Sequence, residues 1–233
     1  MMPRVRVRHP IAGLTALACA LTAFAAPATA AARATLTADA RCYLQGAQLQ
    51  MTASALAPNA PLTVVLDGRQ LSYGDGSTPT SDAAGTFAGS FATPALAADA
   101  VERRHVLVVS DGMRRPRARF TVTRPAGADF QPSSGDPRTL RARFRVWGFA
   151  VDSAGGTPVW LHWVSPRGTV RRNAALGSTT GDCGALTTQP RRVFPFAPAA
   201  GRWVLVFDTH PRYRVHASGP RAKIPVHVRP LPR

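Results

Sequence analysis

Two side chains that dominate the polar faces of helices are nearly missing. The 233-residue chain has one glutamate, Glu102, and one lysine, Lys223, against 21 prolines and 19 glycines. That balance argues against a helical bundle and predicts strands joined by turns. Acidic charge is scarce too, with 12 Asp and Glu facing 29 Lys and Arg. The paired carboxylates of a glycosidase have only Asp to draw on. Asp67, Asp75, Asp82 and Asp111 fall at turns, where Asp is favoured for backbone reasons. The calcium reading of Asp75-Gly-Ser and Asp82 has too sparse a ligand run. The 6 histidines include no close pair with zinc spacing, and there is no phosphate-cradling glycine loop and no Gly-x-Ser-x-Gly elbow. No metal or cofactor is expected.

Long apolar runs are also short of what a membrane span needs. Ile11 to Ala26 carries no charge but has only sixteen residues, against the ~20 of a spanning helix. Arg4, Arg6 and Arg8 precede it, and Ala28-Thr-Ala30 follows with small residues where a signal peptidase cuts. Residues 1–30 therefore read as an export signal, leaving a mature chain without a transmembrane anchor. The alternative is a lipoprotein site at Cys19, but Ala16 stands where Leu is usual. There is no twin-arginine pair.

Of the 3 cysteines, Cys42 and Cys183 remain after cleavage. In an oxidising compartment two cysteines allow one bridge, here joining the two halves. Two separate buried thiols are the other reading.

Net charge is +17; removing the three leader arginines leaves 17 − 3 = +14. Codon bias in a GC-rich genome explains Arg in place of Lys but not the shortage of acids. An anionic partner is the other reading of the charge, and composition alone does not choose between the two.

Between Ala34 and Arg124, turn signals separate short alternating runs: Ala34–Ala38, Gln48–Ala53, Leu62–Leu66, Gln70–Tyr73, Gly85–Phe91, His105–Val109 and Arg117–Thr123. Asp67-Gly68 is a hairpin signal. Leu62-Thr-Val-Val-Leu-Asp-Gly68, Asp82-Ala-Ala-Gly-Thr-Phe87, His105-Val-Leu-Val-Val-Ser-Asp-Gly112 and Phe120-Thr-Val122 resemble the bacterial Ig-like repeats of secreted and cell-surface proteins. The resemblance covers the first half only. It implies a non-catalytic spacer or adhesion module.

Residues 125–137 read as a linker, with Pro125-Ala-Gly-Ala-Asp at its head. Residues 138–233 read as a second β-sandwich. Leu140, Ala142, Phe144 and Val146 alternate with Arg141, Arg143 and Arg145, a half-buried strand with guanidiniums on one face. Val159 to Val164 is apolar on both faces and belongs in a central or doubly covered position. Further strands are expected at Arg192–Phe196, Trp203–Phe207, Tyr213–His216 and Lys223–Val228, with Phe144, Trp163, Val204 and Val206 in the core. The expected architecture is all-β: two tandem Ig-like β-sandwiches after a signal peptide.

Three patterns bear on function. Gly181-Asp-Cys-Gly184 resembles the Asp-Cys-Ser-Gly motif of cell-wall cysteine peptidases, with Gly184 in place of Ser and no helix-forming segment after Cys183. Asp208-Thr-His210 and His162 offer imidazoles for a hydrolase. The third pattern occurs twice: Arg115, Arg117 and Arg119 alternate with Pro116, Ala118 and Phe120, and Arg141, Arg143 and Arg145 do the same with their neighbours. Side chains two apart on a strand are ~6.7 Å apart, a cationic ladder suited to regularly spaced anions. Charged residues that keep a sheet edge from pairing with other chains are the competing explanation. Few aromatics interleave with these arginines and the chain is exported, so nucleic acid is a poor partner. The resulting expectation is a secreted or envelope-associated protein without catalysis, in a structural, adhesion or anionic-polymer-binding role, with an anionic wall polymer or membrane surface as the candidate partner. A hydrolase using Cys183, His162 or His210 is the alternative.

Overall fold

The computed structural model describes residues 32–72, 77–150 and 156–230, so the expected signal segment and Asp75 lie outside the described residues. Arg33–Arg233 form one compact body. Every regular element among the described residues is a strand.

The first eight strands are β1 (Thr35–Ala38), β2 (Cys42–Leu44), β3 (Gln48–Ser54), β4 (Thr63–Leu66), β5 (Arg69–Gln70), β6 (Phe87–Ala92), β7 (Glu102–Ser110) and β8 (Arg117–Thr123). They form two sheets, ordered β1-β3-β6 and β2-β8-β7-β4-β5. Alternation drives the pairing: Leu49, Met51 and Ala53 of β3 and Leu107, Val109, Phe120 and Val122 of β7 and β8 are buried in one cluster. On β3 their neighbours along the strand point out to solvent, while on β8 Thr121 and Thr123 are buried as well. The switch of the chain edge from one sheet (β1) to the other (β2, parallel to β8) gives the strand arrangement of an immunoglobulin sandwich. The hairpin expected at Asp67-Gly68 is present. Both residues have positive φ (50° and 84°), as a two-residue turn of this hand requires, and they join β4 to β5.

The remaining strands are β9 (Gly127–Gln131), β10 (Arg141–Trp147), β11 (Pro158–Val164), β12 (Val170–Ser178), β13 (Leu186–Thr187), β14 (Arg191–Arg192), β15 (Gly201–Asp208) and β16 (Ala222–Val228). β10 sits between β9 on one side and β13 and β14 on the other. The facing sheet runs β12-β11-β15-β16. Phe144, Leu161, Trp163, Trp203, Leu205 and Phe207 are buried together between these layers. β11 is an inner strand of its sheet, as its apolar faces require.

Four expectations are corrected here. The segment read as linker contains β9, whose residues pair with β10 from Gly127 to Gln131. The core face of β15 is Trp203, Leu205 and Phe207, while Val204 and Val206 point the other way. Val206 is buried all the same, so both faces of β15 are apolar and the pattern alone left the phase open. Tyr213–His216 is not a strand but part of the β15–β16 connection. β12 was missed because its sequence, VRRNAALGS, alternates poorly; it is an edge strand with two register shifts.

Candidate anion-binding face

β10 places Ala142, Phe144 and Val146 in the core, and its arginines on the outer face. The register sorts those arginines. Arg145 stands opposite Asp129 of β9, and their side chains pair at 2.8 Å. The Arg145 guanidinium also lies over the Trp147 indole, 5.6 Å from its centroid. Arg145 is thus neutralised and held.

Arg141 and Arg143 differ. Arg141 stands opposite Arg192 of β14, and like charges directly opposite destabilise a sheet. Arg141 Nη2 donates to the Pro190 carbonyl at 2.8 Å, which fixes its direction while leaving other N–H groups free. Arg143 stands opposite the neutral Gln131. Arg143 and Arg192 are exposed and make no hydrogen bond or ion pair with a described residue. One end of the face is therefore a cluster of three guanidiniums, Arg141, Arg143 and Arg192, without a paired acid. Arg192 was not legible as a member, because only the β10–β14 register brings it there.

The other ladder is built differently. Arg117 and Arg119 are exposed on β8 opposite Val108 and Val106, and Arg115 lies in the β7–β8 connection. β2 pairs with β8 only from Thr121 to Thr123, so the Arg117–Arg119 stretch is open on that side. Protection of a sheet edge fits Arg117 and Arg119. It does not fit Arg145, where β10 is paired with β9 on one side and β13 on the other, whereas Arg141 is paired with β14 alone. No sheet contains both ladders.

The alternative chemistry is corrected. Cys183 is bonded to Cys42, with Cα atoms 5.2 Å apart, so its sulfur is no nucleophile. The bridge ties β2 to the loop after β12, and Thr121 Oγ1 donates to Asp182 beside it at 3.3 Å. The expected pairing of the two cysteines is present. Gly184 stands where the peptidase motif has Ser for a backbone reason. Its φ is +71°, and a Cβ there would sit 2.5 Å from the Ala150 nitrogen. Gly184→Ser is expected to cost roughly 2 to 3 kcal/mol in urea unfolding, from left-handed backbone strain and overpacking.

His162 is fully buried on the outer side of β11, beneath the β15–β16 connection, with Tyr213 at a ring separation of 5.7 Å. Its Nε2 is 3.0 Å from Asp208 Oδ1 and its Nδ1 is 2.7 Å from Asn173 Oδ1. Both ring nitrogens are thus engaged by neighbouring side chains. Asp208 also accepts from the His210 backbone N–H at 2.9 Å and from Arg221 Nη2 at 2.9 Å. Burial raises the Asp208 carboxyl pKa, but the hydrogen bonds from His162, His210 and Arg221 and the His162 charge outweigh it. The net position is below the usual carboxylate range. The His210 ring reaches only Thr209 Oγ1, at 3.5 Å. Among the described residues no serine hydroxyl bonds to either imidazole. This is a network that fastens a connection to a sheet, and it leaves no ring nitrogen of His162 free to activate a nucleophile. Asn173 and Arg221 were missed, since neither is near His162 or Asp208 in a readable motif. Asp82 likewise spends Oδ1 on the backbone N–H groups of Ala84 and Thr86, a turn role.

No protein-family model and no curated protein sequence matches this chain. Among solved structures, bovine butyrophilin is similar over 85% of this chain and 100% of its own, at 9% identity and TM-score 0.31. The titin Ig tandem A164-A165 is similar over 84% of this chain and 97% of its own, at 11% identity and TM-score 0.33. Trypsin-activated α2-macroglobulin from Escherichia coli matches 84% of this chain but only 15% of its own length, at 11% identity and TM-score 0.30. Overlaps this loose establish neither fold nor function, and the immunoglobulin-type arrangement rests on the strand order above.

Proposed function

We propose that the chain is an exported, non-catalytic protein of two tandem immunoglobulin-type sandwiches that binds an anionic wall polymer. Arg141, Arg143 and Arg192 carry the contact. The observation behind this reading is the like-charged pair Arg141–Arg192 beside Arg143, on a face where Arg145 is the arginine matched by an acid. Such a cluster opposes folding slightly, and polymer carboxylates or phosphates would neutralise it. Guanidinium suits either group because its N–H fork matches two oxygens at once. The Cys42–Cys183 bond supports an oxidising compartment, and among the described residues no helix is long and apolar enough to cross a membrane.

The test is retention on a polygalacturonate resin. Arg141→Gln, Arg143→Gln and Arg192→Gln together are expected to abolish most retention. Stability should stay within ~0.5 kcal/mol, as exposed sites usually do, or rise slightly as the repulsion is removed. Wild-type retention should fall steeply as salt shortens the screening length to ~3 Å at 1 M. Arg117→Gln with Arg119→Gln is the control: unchanged retention with more light scattering is expected if those two guard an edge. Equal retention of the triple variant and the wild type would refute the assignment. Binding to anionic vesicles but not to the resin would move the partner to a lipid surface.

A further inference from the structure

At the end of the second sandwich, the β11–β12 turn and the segment leading into β15 enclose a cleft of about 480 Å³. Its rim carries Arg167, Arg171, Ser165 and Thr169, and its floor Phe196 and Trp203; no acidic residue lines it. We infer that this cleft is a second ligand site, separate from the arginine face, that takes a small organic anion: a carboxylate carried on an apolar ring.

The rim is positioned by the local fold. The turn is closed by Ser165 N–H to the Thr169 carbonyl at 2.8 Å and by Gly168 N–H to the Ser165 carbonyl at 2.9 Å. The Ser165 and Thr169 hydroxyls bond each other at 2.7 Å, so one O–H between them is left to donate outward. Arg171 owes its direction to a bulge. Trp163 is opposite Arg172 and Val164 is opposite Val170, so Arg171 has no partner residue on β11. A bulge turns its extra side chain out of the regular alternation, and here Arg171 borders the cleft. Neither Arg167 nor Arg171 makes a hydrogen bond or ion pair with a described residue, although both are exposed cations on one rim.

The floor is set by the aromatic cluster. Trp203 Nε1 donates to the Ala199 carbonyl at 2.8 Å, and Trp163 Nε1 to the Val193 carbonyl at 2.7 Å. Phe196 packs against both indoles, at centroid separations of 5.5 Å and 6.3 Å. The cleft is therefore preformed, and its size falls within the ~300–1,000 Å³ of ligand pockets. Its composition sets the ligand class. An inorganic anion would meet only the rim, and a neutral ring only the floor. A ring bearing a carboxylate meets both, with a charge-assisted bond to each guanidinium.

The probe is 4-fluorobenzoate, followed by fluorine NMR on the mature chain, with 4-fluorobenzamide and inorganic phosphate as partial ligands. Saturable binding of the benzoate is expected. No saturable binding of the benzamide should appear, and phosphate should displace the benzoate only at concentrations at least about tenfold higher. Arg167→Gln with Arg171→Gln, at exposed positions and checked for an unchanged circular dichroism spectrum, should weaken benzoate binding at least about tenfold. The Arg141, Arg143 and Arg192 triple variant should bind it as wild type does, so this site and the polymer face succeed or fail separately. The inference is overturned if the benzoate does not saturate, if the benzamide or phosphate binds equally well, or if the Arg167 and Arg171 variant binds unchanged.

Discussion

Replacing Cys42 and Cys183 together by Ala is expected to lower the stability of the body by about 5 kcal/mol. The bond joins residues 141 apart. In the chain-entropy model, closing a loop of that size removes freedom from the unfolded chain worth about 5 kcal/mol. Folded contacts change little, since both cysteines are buried and Ala leaves only small voids. The loss should appear in urea unfolding as a lower midpoint together with a steeper denaturant dependence. The open unfolded chain exposes more surface than the cross-linked one. Reduced wild-type protein should match the double variant. A midpoint unchanged by either treatment would mean that the unfolded chain keeps the two halves together without the bond.

Asp208→Asn is expected to cost about 3 to 5 kcal/mol, the usual range when one partner of a buried ion pair is removed. The carboxylate is 2% exposed and has two oxygens serving His162, Arg221 and the His210 N–H. An amide keeps one acceptor and turns an N–H₂ group toward cationic donors. The pH dependence has a definite sign. Folding lowers the Asp208 pKa relative to the ~3.9 of an unfolded chain. Its stabilisation is therefore complete above about pH 4 and is lost as the pH falls through the lower folded value. Wild-type stability should drop on that acid limb, while the Asn variant, lacking the titrating group, should lose this component of the slope. Urea midpoints of both proteins across the acid range supply the comparison. Parallel acid limbs would show that Asp208 does not contribute to the linkage.

Alternation was legible wherever one face of a strand is dry and the other wet. Ala142, Phe144 and Val146 against Arg141, Arg143 and Arg145 is such a case, as is the Asp67-Gly68 hairpin with its short-range backbone requirement. The pattern failed where both faces are covered. Trp203 to Phe207 is apolar throughout, so the choice between Trp203, Leu205, Phe207 and Val204, Val206 depends on the connection packed outside the sheet. It failed again on edges: β12 has polar residues where an edge strand meets water and bulges where its period breaks. The arginine face was half visible. A ladder is a property of one strand, but the repulsion of Arg141 by Arg192 and the neutralisation of Arg145 by Asp129 are properties of register. Register between β10, β9 and β14 is decided by the whole sandwich. The cleft was invisible for the same reason, since Arg171 reaches it only through a bulge. The peptidase-like motif at Cys183 was already undercut by Gly184 and by the expected pairing with Cys42, and four residues in a row say nothing about the strand that lies across from them.

The bond between β2 and the loop after β12 also changes how the molecule carries load. Tension applied between residues before Cys42 and residues after Cys183 passes through the two sulfurs rather than through the intervening chain. Extended, the 141-residue interval would reach roughly 470 to 500 Å, and none of that length can be drawn out while the bond holds. β3 to β12, including the arginines of β10, are shielded from such a pull, whereas β1 before Cys42 and β13 to β16 after Cys183 lie on the loaded path. A single cut of the backbone anywhere between the two cysteines would likewise leave one covalent molecule.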